Sequence, residues 1–147
     1  MFSSARSRIV ATVATIAVGT TLFVAWTWLK QQHSAEQQIQ LAETFVLMLR
    51  KNRMAEAYEL TLKARMELPT KEDFAVYASR QICGSFKMTE VFPFQSNGNR
   101  LRRSLLGQTV EMDELNIQYF GECAFRVTLR KDTEQSWKVF KFGSHAY

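Results

Sequence analysis

The hydrophobic pattern of the chain changes character at Lys30. From Ile9 to Leu29 no side chain is charged and none is more polar than threonine. At about 1.5 Å of rise per residue a helix of this length spans about 30 Å, the thickness of a bilayer's hydrocarbon core. Trp26 and Trp28 stand near the end of the run, where an indole keeps its ring in the apolar layer and its N–H among headgroups, and Lys30 follows at the water boundary. The pattern predicts an N-terminal flank at 1–8, a transmembrane helix at 9–29, a polar connector at 30–35 and a globular domain at 36–147.

Beyond the connector the periodicity is that of amphipathic helices. Ile39, Ala42, Phe45, Val46 and Leu49 recur at i, i+3 and i+4. Arg50, Lys51, Asn52 and Arg53 interrupt the stripe, and Met54, Ala57, Tyr58, Leu60 and Thr61 open a second helix at an angle to the first. Pro69 closes that region. Thr70 followed by Asp73 has the form of a capping box, starting a third helix whose buried face carries Phe74, Tyr77, Ala78 and Ile82, with Gly84 as its expected left-handed stop.

After Gly84 the period shortens to two. Phe86, Met88, Val91, Phe92 and Phe94 form an extended run ending at Asn97-Gly98, which reads as a hairpin turn. Strands are then expected at Leu101–Met112, Ile117–Arg130 and Trp137–Phe142, with Lys131–Ser136 as a polar turn. Cys123, Phe125, Val127 and Leu129 alternate with Ala124, Arg126, Thr128 and Arg130, so one face is buried and the other solvated. Helices first and strands after predict an α+β fold: a transmembrane helix, then about three helices packed on a curved antiparallel sheet of about four strands.

The run Phe45-Val46-Leu47-Met48-Leu49-Arg50-Lys51-Asn52-Arg53-Met54-Ala55-Glu56-Ala57-Tyr58-Glu59-Leu60, with Glu72-Asp73-Phe74, Arg126-Val127-Thr128-Leu129-Arg130 and Trp137-Lys138-Val139 downstream, resembles the cone-shaped, cystatin-related domains of the nuclear transport factor two-like superfamily. The resemblance covers about residues 36–147 and rests mainly on core positions. It implies the fold and leaves the function open, because this superfamily hosts enzymes, ligand binders and assembly subunits alike. Its enzymes commonly use an Asp/His pair inside the cone. Here Asp73 is accounted for by capping, Asp113 and Asp132 fall in turns, and His33 and His145 lie in the connector and near the C-terminus, so no dyad is assigned.

Charge sharpens the location more than the chemistry. Of the net charge of +5, residues 1–30 supply +3 through Arg6, Arg8 and Lys30. The basicity is therefore a membrane-flank signal. The globular part lacks the strongly basic face that a phosphate backbone demands, and nucleic acid is not expected as a partner. Positive charge before the span exceeds that just after it, which keeps the N-terminus inside and sends the domain to the periplasmic side of an inner membrane. Two processing readings compete. A cleaved signal peptide would need a shorter core and a better site than Trp26-Thr27-Trp28 or Ser34-Ala35, whereas the acid-free start resembles a mitochondrial presequence and would place the domain in the intermembrane space.

Cys83 and Cys123, the only cysteines, are either a disulfide of an exported domain or two small buried hydrophobes. Arg100, Arg102 and Arg103 read either as a solvated strand edge or as a contact for anionic headgroups or an acidic partner. With Phe94 they are the expected partner contact, on the sheet and hairpin. No metal site, cofactor or catalytic residue is expected. The layout, one span followed by this domain, is similar to an inner-membrane scaffold subunit of type IV secretion systems and to small assembly factors of respiratory oxidases. The functional expectation is a non-enzymatic accessory or assembly subunit of a membrane protein complex. The alternative is a membrane-tethered binder of a small apolar ligand in the domain cavity.

Overall fold

The computed structural model describes residues 3–63, 70–84 and 86–145. Met1, Pro69 and Tyr147 lie outside them. In chain order the elements are α1 (Ser3–Lys30), α2 (Glu36–Arg50), α3 (Met54–Glu59), α4 (Lys71–Gln81), β1 (Phe86–Phe92), α5 (Asn97–Leu105), β2 (Glu114–Gly121), β3 (Ala124–Lys131) and β4 (Trp137–His145). They fall into two compact units: Met1–His33 with Gln95–Glu111, and Ser34–Phe94 with Met112–Tyr147. Residues 95–111 thus group with the apolar helix, and the rest of 36–147 with the larger unit.

The larger unit has the α+β layout. Four strands form an antiparallel meander in the order β1-β2-β3-β4 among the described residues. Ile117 pairs with Val91 on one side and Val127 on the other, and Val127 in turn with Phe142, so one inward row crosses the whole sheet. Onto that face α2 brings Ala42, Phe45, Val46 and Leu49, α3 brings Ala57 and Tyr58, and α4 brings Phe74 and Ala78, all buried. The rings interlock: Phe142 lies 5.1 Å from Phe45, 5.5 Å from Phe74, 5.2 Å from Tyr77 and 6.2 Å from Phe125 between centroids.

Local chemistry sets the helix ends. α2 stops because Asn52 adopts a left-handed φ of 56°. Arg53 N–H then donates to Met48 O at 2.8 Å and Asn52 N–H to Leu49 O at 3.0 Å, the paired bonds of a Schellman stop. At α4 the Thr70 hydroxyl oxygen accepts from Asp73 N–H at 3.0 Å. Thr70→Ala should therefore cost about 1 kcal/mol, measurable by urea unfolding, with Thr70→Ser close to the parent. The expected stop at Gly84 is corrected: α4 ends at Gln81, and the C-cap Ile82 is already extended. Glu59, at the end of α3, takes hydrogen bonds from Lys63 and from Lys71, which hold its carboxyl at about 2.

Two strand expectations are also corrected. Ile117–Arg130 is not one strand but a hairpin, turning between Gly121 and Ala124 with Tyr119 opposite Phe125. Asn97-Gly98 is not a hairpin turn, and Leu101–Met112 is not a strand. Ser96 caps a helix there, its hydroxyl oxygen accepting from Asn99 N–H at 3.2 Å, and the Arg-Leu-Arg-Arg-Ser-Leu run that follows is rich in helix formers. Gly107, at φ 65°, ends α5 with Gln108 N–H donating to Arg103 O and Gly107 N–H to Ser104 O.

In the smaller unit α1 is the one helix among the described residues long and apolar enough to cross a membrane; its Val10–Lys30 stretch has a mean hydropathy of 1.7 and no buried residue. Four of its threonines bond back to the helix. Thr15, Thr20 and Thr21 donate to carbonyls four residues back at 2.8–2.9 Å, and Thr27 to Val24 O at 2.9 Å. Each of these hydroxyls is thus bonded within the helix itself.

Candidate functional site

The residues singled out from the sequence separate between the units. Trp26 and Trp28 project from the last turns of α1, 59% and 50% exposed, and the Lys30 ammonium stands 4.5 Å above the Trp26 ring. The cation thus covers the indole face at the end of the apolar helix.

Arg100, Arg102 and Arg103 lie on α5 beside this end of α1 rather than on a strand edge, which corrects their expected setting. α5 is held there by its first residues. Asn97 N–H donates to Gln31 O at 3.0 Å, Asn97 Nδ2 to Trp28 O at 3.1 Å, and His33 N–H to Gln95 O at 2.8 Å. A Cβ at Gly98 would stand 3.0 Å from the Leu29 carbonyl oxygen, so the close approach favours glycine. Gln95, buried at the base of the segment, closes it: its Nε2 donates to Val110 O at 2.8 Å while its Oε1 accepts from Arg100 Nη1 at 3.1 Å. Arg102 is exposed and reaches Asn99 Oδ1 at 3.4 Å.

Phe94 belongs to the other unit, 58% exposed, its ring edge-on to Phe92 at 4.8 Å. Phe94 and the three arginines thus fall in different units. Phe92 pairs with Asn116 on the outer sheet face, where Phe120 and Phe140 are also half-buried. The same face carries a ladder of paired polar groups. Arg130 Nε donates to Glu114 Oε2 at 2.6 Å and its guanidinium covers the Phe140 ring at 3.9 Å, while Thr128 Oγ1 donates to Asn116 Oδ1 at 2.7 Å. Arg126, Lys87 and Lys141 extend from it into solvent. Alternation along β2 and β3 was the signal for this face; the covering of its aromatic rings by long polar neighbours was not visible.

Cys83, just past α4, is joined to Cys123 in the β2–β3 turn as a disulfide, with α-carbons 6.2 Å apart. Asp132 serves its turn, its carboxylate accepting from Glu134 N–H and Ser136 N–H at 2.9 Å. The side chain of His145 lies outside the described residues. Within the core, burial pushes the Tyr119 phenol well above its ordinary range, with Glu43 adding to the effect. Tyr77 is pushed the same way by burial and donates to Phe142 O at 2.9 Å.

No protein-family model, no curated protein and no solved structure matches the chain.

Proposed function

We propose that the chain is a membrane-anchored, non-enzymatic accessory or assembly subunit of a membrane protein complex, which acts by protein–protein contact. One observation carries this reading. The space between helices and sheet, where a cone-shaped domain would hold a ligand or a catalytic pair, is filled by the interlocked rings of Phe45, Phe74, Phe125 and Phe142, each at most 2% exposed. This disfavours the alternative of a small apolar ligand in the cavity, and it leaves the outer face to offer chemistry. There Phe92 and Phe94 form an accessible aromatic pair, with half-buried Phe120 and Phe140 nearby among cations. Aromatic groups at the centre of a patch with arginine beside them are the usual energetic anchors of an interface.

The likeness to the nuclear transport factor two-like superfamily belongs to the same proposal, as does placement in an inner membrane with the domain in the periplasm or in the mitochondrial intermembrane space. The test is purification of the full chain from its native membrane in mild detergent. Stable membrane subunits should co-purify, and Phe94→Ala should weaken their retention by about 1–3 kcal/mol. Retention unchanged in Phe94→Ala and in Arg126→Ala together would remove the outer face from the reading. A reporter after Tyr147 should be active outside the cytoplasm or matrix, and a mature N-terminus near Ala35 would refute the anchor.

A further inference from the structure

α5 belongs to the smaller unit and has no part in the contact proposed for the sheet. We propose that α5 is a membrane-surface helix, with Leu101 and Leu105 dipping into the acyl boundary and Arg100, Arg102 and Arg103 engaging anionic phospholipid headgroups beside the exit of α1. The proposal rests on α1 spanning the membrane.

Its position comes first. The hydrogen bonds from Asn97 to Trp28 and Gln31, with the close approach of Gly98 to Leu29, set the start of α5 at the level of Trp26, Trp28 and Lys30. On the anchor reading that level is the headgroup layer. A helix begun there and stapled by Gln95 to Val110 has little room to leave the interface.

Its sidedness agrees. At about 100° per residue, Leu101 and Leu105 fall on the same side as Gly98, the side that abuts the end of α1. Arg103 falls opposite and Arg100 towards the side of Arg103, both half-buried, while exposed Arg102 flanks the apolar side. Leu101 is 44% exposed, Leu105 78% and Leu106, at the C-cap, 63%. Such leucines are unfavourable in water and favourable at an acyl boundary, and a short helix with an apolar side and a cationic side lies in the interface plane.

Charge selects the lipid. From Gln95 to Val110 there are three arginines and no acidic residue, so the segment is complementary to an anionic surface.

The test uses the full chain reconstituted through α1 into vesicles of phosphatidylcholine with phosphatidylglycerol. Nitroxide labels are placed singly by Leu105→Cys, Arg103→Cys and Val18→Cys, the native cysteines being bonded to each other. Accessibility to oxygen and to a water-soluble nickel complex is read at each. The oxygen-to-nickel ratio should be highest at 18, intermediate at 105 and several-fold lower at 103. If 18 is deep while 105 is as aqueous as 103, the anchor stands and this proposal falls. If 18 is aqueous as well, the anchor itself fails and takes the proposal with it. With pure phosphatidylcholine, or with Arg102→Gln and Arg103→Gln added to the 105-labelled chain, the ratio at 105 should drop towards the aqueous value. No dependence on lipid charge overturns the headgroup role. Shielding of 105 only when a co-purified subunit is present assigns the helix to a protein instead.

Discussion

Phe142→Ala should lower the stability of the larger unit by about 3–5 kcal/mol, the cost of removing a large ring from a core that relaxes only in part. Phe142 is 2% exposed and is the ring that α2, α4 and β3 share, touching Phe45, Phe74, Tyr77 and Phe125. Its removal opens a void against all three elements at once. Since domains of this size are commonly stable by only about 5–15 kcal/mol, the variant should unfold at markedly lower urea with its near-ultraviolet signal weakened. Phe94→Ala is the control, because an exposed ring with one aromatic neighbour should cost far less. Equal unfolding midpoints for the two variants would contradict the packing described for the sheet's inner face.

The parts of this fold legible in the sequence are those where a short-range signal and the long-range packing agree. Ala42, Phe45, Val46 and Leu49 lie on one stripe and all four are buried; Thr70 and Asp73 form the cap their spacing announces; Val127 and Leu129 are buried between exposed Arg126 and half-buried Arg130, although Thr128 between them is buried too. Asn97-Gly98 failed because a turn dipeptide is also compatible with the first turn of a helix once Ser96 caps it, and the distant backbone of Trp28 and Gln31 decides between them. No periodicity within residues 95–111 records that contact. The arginines stand out in the sequence by their charge, but their setting depends on the same long-range docking, so the sequence marks the residues and not the surface they form. Gly121 marked the turn inside Ile117–Arg130, yet the apolar alternation on both sides of it concealed the break.

Reduction of the Cys83–Cys123 bond should cost the larger unit about 4 kcal/mol. The bond closes a loop with a sequence separation of 40 between the end of α4 and the β2–β3 turn, and in the chain-entropy account a loop of that length restricts the unfolded ensemble by about this amount. The α-carbon separation of 6.2 Å is within the ordinary range for a bridge. Cys123 is buried, so replacing it also removes packed volume, whereas reduction keeps the atoms and releases only the constraint. The two perturbations separate the effects. Unfolding with and without reductant should differ in the parent chain and coincide in a Cys83→Ser, Cys123→Ser double variant. Non-reducing mass spectrometry should recover the two cysteine peptides linked, which is the state an oxidising compartment maintains. Full alkylation of both thiols without reductant would rule the bond out, and with it the support it lends to an exported domain.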